Sequence, residues 1–161
     1  VDGLHRRAGS DPIEVHGSLD LARCQACGRE LPMAGALARR QAAADGVPRC
    51  DCGGVLKPDV VFFGEYIPAA RVERCFAAVD ALRPDDGALL AVGTSLTVMS
   101  GFRFVRRAVR SGVPVVIANR GATRGDEIAT HALDVACSGF LDALDGRRRE
   151  VSARDAGARV G

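Results

Sequence analysis

Two close cysteine pairs constrain this chain more than any other feature. Cys24-Gln25-Ala26-Cys27-Gly28 is a C-x-x-C knuckle. Its spacing lets two thiolates converge on one tetrahedral ion, and the glycine after it permits a tight turn. Cys50-Asp51-Cys52-Gly53-Gly54 supplies the partner pair, one residue tighter than the usual spacing. Two such pairs fit a zinc ribbon better than unrelated buried thiols or a redox couple. Four cysteine ligands close the coordination sphere, so the expected Zn2+ is structural and any catalysis lies elsewhere. The stretch between the pairs holds an alanine- and arginine-rich segment, 33–44, read as a short helix with no strand signal around it.

The rest of the composition is that of a globular protein. Hydrophobic residues make up 47% and charged residues 26% of 161 residues, enough for one domain with a core plus a small insert. No apolar run approaches the roughly 20 residues of a spanning helix. The net charge of +2 is spread along the chain, so neither a membrane nor a nucleic acid is expected as a partner. The opening residues lack a basic-then-apolar export pattern. With six cysteines in view, thiols kept reduced in a cytoplasmic setting are the expectation.

From Asp59 onward, short apolar runs alternate with helical patterns, the mark of parallel βαβ units. The expected strands are Val60–Phe63, Leu89–Val92, Val113–Ala118 and Leu133–Cys137. Between them, Val72, Cys75, Phe76, Val79 and Leu82 form one helical stripe, and Phe102, Val105 and Val109 another. Arg103, Arg106, Arg107 and Arg110 then face solvent, and Gly112 closes that helix. Thr123–His131 reads as a loop with a short helix, and a last helix is expected near Phe140–Leu144. The tail from Arg147 to Gly161 has no apolar period and is expected to be disordered.

Candidate chemistry sits at two places. His16, in Glu14-Val15-His16-Gly17-Ser18, stands between a short apolar piece and a glycine that lets another backbone approach; a lone histidine is otherwise an ordinary surface residue, as His5 and His131 are read. Gly93-Thr94-Ser95 and Asn119 end successive strands, where open α/β sheets present backbone N–H groups and hydroxyls to ribose or phosphate oxygens. Each alone is an ordinary turn; together they favour a nucleotide site.

The order of motifs, Val1-Asp2-Gly3-Leu4-His5, Glu14-Val15-His16-Gly17, the cysteine pairs, Lys57-Pro58-Asp59-Val60-Val61-Phe62-Phe63-Gly64-Glu65 and Gly93-Thr94-Ser95, resembles the sirtuins over about Val1 to Leu144. Ser100-Gly101-Phe102-Arg103-Phe104 and Thr123-Arg124-Gly125-Asp126 look like the class II branch, which includes lipoamidase-type members. The resemblance implies an α/β fold: a partial Rossmann-like parallel sheet with helices on both faces, in segments 1–20 and 55–146, plus a zinc-ribbon insert at 21–54 held by Cys24, Cys27, Cys50 and Cys52.

The resemblance also implies an NAD-dependent protein-lysine deacylase that releases nicotinamide and acts on an acylated-lysine protein or peptide. The acyl oxygen attacks the ribose carbon bearing nicotinamide, and His16 matches the histidine that deprotonates a ribose hydroxyl. Asp2, Gly93, Thr94, Ser95, Asn119, Arg120, Gly121 and Cys137 match positions that hold NAD. Val61, Phe62 and Phe63 match an apolar tunnel for the acyl-lysine stem, while Gly64, Glu65 and Val98 match residues along the substrate backbone. Cys75 is read as core. The phosphate-holding Gly-Ala-Gly segment of the family does not occur in these 161 residues, so a longer parent is expected, with the present portion inactive alone. A mono-ADP-ribosyltransferase and a non-enzymatic, zinc-stabilised peptide-binding module stand as alternatives.

Overall fold

Pairing between distant segments, rather than local propensity, organises the first part of the chain. The computed structural model describes residues 1–158, with side chains through Arg147, and separates into two compact units, Val1–Cys75 and Phe76–Gly161.

In the first unit a short helix α1 (Leu4–Arg7) precedes strand β1 (Gly17–Cys24), strand β2 (Glu30–Pro32), helix α2 (Met33–Ala42) and strand β3 (Leu56–Val60). β1 lies between β2 and β3 in an antiparallel sheet. Two expectations are corrected here. The segment read as free of strands contains the end of β1 and all of β2. The strand expected at Val60–Phe63 lies earlier, at Leu56–Val60, and is antiparallel. The reason is the partner: Arg23 and Cys24 take Lys57 and Leu56 as neighbours, and a strand can carry Pro58 on its unpaired side. After Val60 the chain turns, because Gly64 has φ 87 and the Glu65 carboxylate accepts the Phe62 N–H. The small core here is Ala22, Cys24, Ala36, Cys50 and Leu56.

Helix α3 (Ala69–Asp80) leads to the second unit, where strands β4 (Leu89–Val92), β5 (Val115–Asn119) and β6 (His131–Asp134) form a parallel sheet in the order β4-β5-β6. Helix α4 (Met99–Arg110) connects β4 to β5. Its buried face is Phe102, Val105 and Ala108, and covering a Phe or Val side chain contributes about 1.5–3 kcal/mol each. Val109, expected in that face, is instead exposed in the last turn of the helix, although the 100° step per residue keeps it on the side of Phe102 and Val105; Ala108 is buried beside it. The helix ends as a Schellman motif: Gly112, at φ 71, donates to the Val109 carbonyl and Val113 donates to the Ala108 carbonyl, both at 3.0 Å. Val113 is itself buried against the core of Val79, Leu96, Val115 and Ile117.

The last strand and helix also differ from expectation. β6 begins at His131, because Thr130 already pairs with Val115 through its N–H and its hydroxyl, and all four β6 residues are exposed. Helix α5 runs Cys137–Ala158, so the tail expected to be disordered from Arg147 continues the helix as far as Ala158. Arginine, glutamate and alanine are good helix formers even without an apolar stripe. The remainder of that expectation, 159–161, lies outside the described residues.

Candidate functional site

The four cysteines of the knuckles converge. Their sulfurs all lie within 4.8 Å of one another, with Cys24 Sγ 3.5 Å from Cys52 Sγ and Cys27 Sγ 3.9 Å from Cys50 Sγ. Tetrahedral Zn–S bonds of about 2.3 Å require sulfurs about 3.8 Å apart, so the cluster fits zinc, and the tight Cys50-Asp51-Cys52 spacing does not prevent it. Cys24 and Cys50 are buried while Cys27 and Cys52 are exposed. The Cys27 N–H, then that of Ala26, donate to Cys24 Sγ and pull its thiol down to about 6. At Cys52 the Gly54 N–H also lowers the thiol, but shared hydrogen bonds with Cys27, Cys24 and Cys50 prevail and push it up to about 11. A divalent cation bound here would take all four sulfurs as thiolates.

Two features missed in the sequence support this centre. A Cβ on Gly54 would stand 2.6 Å from Cys24 Sγ, so only glycine fits beside the ligand. Asp51, between the second pair, accepts from Arg39 of α2 and from Arg29 after the first knuckle, both at 2.7 Å. The Arg39 hydrogen bond, chiefly, holds the Asp51 carboxyl below its usual range.

His16 occupies a turn just ahead of β1 and is exposed. Its carbonyl accepts the Val61 N–H at 3.0 Å, so the histidine stands beside the segment Val61–Glu65. In that segment Phe62 is half exposed, Phe63 is fully exposed, and Lys57 Nζ bonds Glu65 at 2.6 Å while lying 4.6 Å from the centre of the Phe62 ring. The Lys57 bond, before that of the Phe62 N–H, lowers the Glu65 carboxyl. Asp2 is exposed and accepts the Leu4 N–H at 3.0 Å at the head of α1, which lowers its carboxyl. Beneath His16, Asp59 is clamped by Arg23 and Arg71; neither arginine was singled out from sequence, since the contacts join residues far apart in the chain.

In the second unit, the expected nucleotide residues share one edge. β4, β5 and β6 run parallel, so Gly93, Asn119 and the start of α5 all follow strand C-termini. The Gly93 N–H donates to the Ala118 carbonyl at 3.0 Å, and Cys137 Sγ lies 3.9 Å from that same oxygen. Ser95 and Thr97 hydroxyls are 2.9 Å apart, and the Thr94 hydroxyl accepts the Leu96 N–H. Leu96 has φ 54, an uncommon conformation for a non-glycine, held by its buried side chain. Asn119 donates its amide to the carbonyls of Arg120 and Gly121, leaving the amide oxygen as an acceptor. Gly121, at φ 81, has open space where a Cβ would stand, and its N–H meets Asp134. Val98 is exposed as the N-cap of α4. Cys75 is half buried, and burial raises its thiol.

The model of the Sir2 family matches residues 1–100. The chain belongs to the Sir2 family. Among curated relatives, the NAD-dependent protein deacetylase of Xanthomonas axonopodis pv. citri (strain 306) is 43% identical over 99% of this chain and 63% of its own length. NAD-dependent protein deacetylase 1 of Streptomyces coelicolor is 47% identical over 80% of this chain and 51% of its own. Among solved structures, the complex of Sir2 with a p53 peptide and NAD+ matches with a TM-score of 0.74 at 29% identity, over 91% of this chain and 60% of that one. Sir2 bound to acetylated peptide matches with a TM-score of 0.76, again at 29% identity over 91% of this chain and 60% of that one. This Sir2-family chain thus spans between 51% and 63% of the length of these proteins.

Proposed function

We propose that this Sir2-family chain carries the catalytic histidine and the substrate-facing part of an NAD-dependent protein-lysine deacylase. The observation that carries the reading is the hydrogen bond from Val61 to the His16 carbonyl, which sets an exposed imidazole beside an exposed apolar segment in a chain of this family. His16 is the general base that takes a ribose hydroxyl proton after the acyl oxygen of the modified lysine displaces nicotinamide from NAD. Val61, Phe62 and Phe63 receive the acyl-lysine stem, while Gly64, Glu65 and Val98 meet the substrate backbone. Asp2, Gly93, Thr94, Ser95, Asn119, Arg120, Gly121 and Cys137 contact NAD.

In the same reading, 1–20 with 55–146 form the NAD and acyl-lysine domain, and 21–54 form the zinc insert. Cys24, Cys27, Cys50 and Cys52 would hold Zn2+, which supplies structure rather than reactivity when bound. Ser100–Phe104 and Thr123–Asp126 favour the class II, lipoamidase-type branch. The phosphate-holding segment belongs to sequence outside these 161 residues, in keeping with the partial span of the relatives. A cytoplasmic setting suits the thiolate cluster.

The test is nicotinamide release from NAD with an acyl-lysine peptide, in the chain and in a parent carrying upstream sequence, with His16→Ala in each. Release from the parent that vanishes in His16→Ala is expected. Release that survives the substitution would overturn His16 as the base. Free lysine product supports the deacylase, and labelled protein the ADP-ribosyltransferase.

A further inference from the structure

The His16 ring has no hydrogen-bond or ionic partner among the described residues, so nothing attached to the ring fixes its position. That position is inherited from the backbone on either side. On one side the His16 carbonyl accepts the Val61 N–H. On the other, Gly17, at φ 82, lies so close to β3 that a Cβ there would fall 2.8 Å from the Asp59 carbonyl carbon and 3.0 Å from Arg71 Nη1. The histidine backbone is therefore seated on Asp59, Val60 and Val61, and whatever holds Asp59 holds the histidine.

Asp59 is held from two elements. Its carboxylate, 7% exposed, accepts Arg23 Nε of β1 at 3.0 Å on one oxygen and Arg71 Nη2 of α3 on the other. Arg71 is the unusual member. Its Nη1 is buried without a hydrogen-bond partner, which costs stability. A guanidinium placed against Gly17 at such a cost answers to geometry more than to stability.

We propose that Arg71, acting through Asp59 and the face of Gly17, is the positioning residue that sets where His16 stands. The proposal rests on His16 being the general base, as argued above. A base must meet its proton within hydrogen-bond reach, and a displacement of about 1 Å can cost on the order of a hundredfold in rate.

The experiment compares wild type with Arg71→Ala, Arg71→Lys, Asp59→Asn and His16→Ala, each confirmed folded by far-UV circular dichroism and zinc content. In the turnover-competent parent, Arg71→Ala is expected to lower kcat by about 10–100-fold while KM for NAD stays within about twofold, and Arg71→Lys to recover part of the loss. Separately, the His16 ring resonances in the 161-residue chain are expected to shift and broaden in Arg71→Ala and Asp59→Asn. Unchanged kcat in Arg71→Ala, beside an inactive His16→Ala, would overturn the proposal and leave the function intact. Turnover that survives His16→Ala would instead sink the functional reading, and unchanged ring resonances would still reject the positioning role by themselves. An Arg71→Ala chain that fails to fold shifts the decision to Arg71→Lys and Asp59→Asn, where an unmoved kcat and an unmoved ring reject the role.

Discussion

Gly17 lies against the Asp59 carbonyl where β1 pairs with β3, with no room for a methyl group: a Cβ at position 17 would stand 2.8 Å from the Asp59 carbonyl carbon. Gly17→Ala therefore has to part the strands or bend the chain at φ 82. Backbone obstruction of this kind belongs among the severe single substitutions, about 3 kcal/mol or more. Gly9→Ala is the control, because Gly9 has φ 87 but meets nothing within 4 Å, and should cost only the left-handed penalty of about 1–2 kcal/mol. Urea unfolding midpoints of the two zinc-loaded variants are expected to separate them clearly.

Gly54 makes the corresponding prediction for the metal centre. A Cβ there would meet Cys24 Sγ and the Ala26 side chain, each at 2.6 Å, so Gly54→Ala should push the ligand sulfur off its position. Zinc affinity, measured by competition with a chromogenic chelator, is expected to fall by about 10–100-fold, the range seen when groups around a ligand are disturbed. Stripping zinc outright should loosen β1, β2 and α2, since the small core beside them contains Cys24 and Cys50 themselves. Faster amide exchange in 17–42 and unchanged exchange in β5 is the expected pattern on chelation.

How far the sequence alone carries depends on whether a feature is local. The cysteine quartet and the α4 terminus were legible because spacing and a glycine encode them within a few residues: Gly112 sits where a left-handed residue is needed, and the Schellman bonds follow. Val61-Phe62-Phe63 looks more strand-like than Leu56-Lys57-Pro58, yet β1 pairs with the latter, and that pairing places β3. Periodicity places Phe102, Val105 and Val109 in one stripe of α4, and the structure buries the first two with Ala108 while Val109 is exposed in the last turn, a difference that periodicity does not encode. The Arg71–Asp59–Arg23 clamp was not legible at all. Its Arg23–Asp59 bond alone joins residues 36 positions apart, and only the folded register brings them together.

Asp126 supplies a pH-dependent check on the loop after β5. Its carboxylate accepts the Thr123 hydroxyl at 2.5 Å and the Thr123 N–H at 2.8 Å, and these bonds, the hydroxyl first, lower the carboxyl from its ordinary 3.8. A depressed carboxylate stabilises the folded turn above the unfolded pKa, and this is lost as pH falls through the folded pKa. The loop should therefore keep its order at pH 5 to 8 and loosen below about pH 4. Carboxyl carbon titration by nuclear magnetic resonance should place Asp126 below 3.8 in the wild type. In Thr123→Val, which keeps the N–H but removes the hydroxyl, the midpoint should move upward.

Gly93 and Cys137 test the strand-end reading of the NAD site without touching His16. Gly93 has φ 66, and a Cβ there would stand 3.2 Å from Cys137 Sγ, tight enough that one of the two must give. If this edge receives NAD, Gly93→Ala in the turnover-competent parent should raise KM for NAD by about tenfold or more, because the backbone after β4 can no longer approach the cofactor. Cys137→Ala in the same chain removes the obstructing sulfur but leaves an alanine in a left-handed conformation, so it should recover only part of the loss. Cys137→Ala alone is expected to change KM modestly, and His16→Ala to leave NAD affinity close to wild type while abolishing turnover. A Gly93→Ala variant with an unaltered KM for NAD would show that the nucleotide does not lie along Gly93–Ser95, whatever the role of His16.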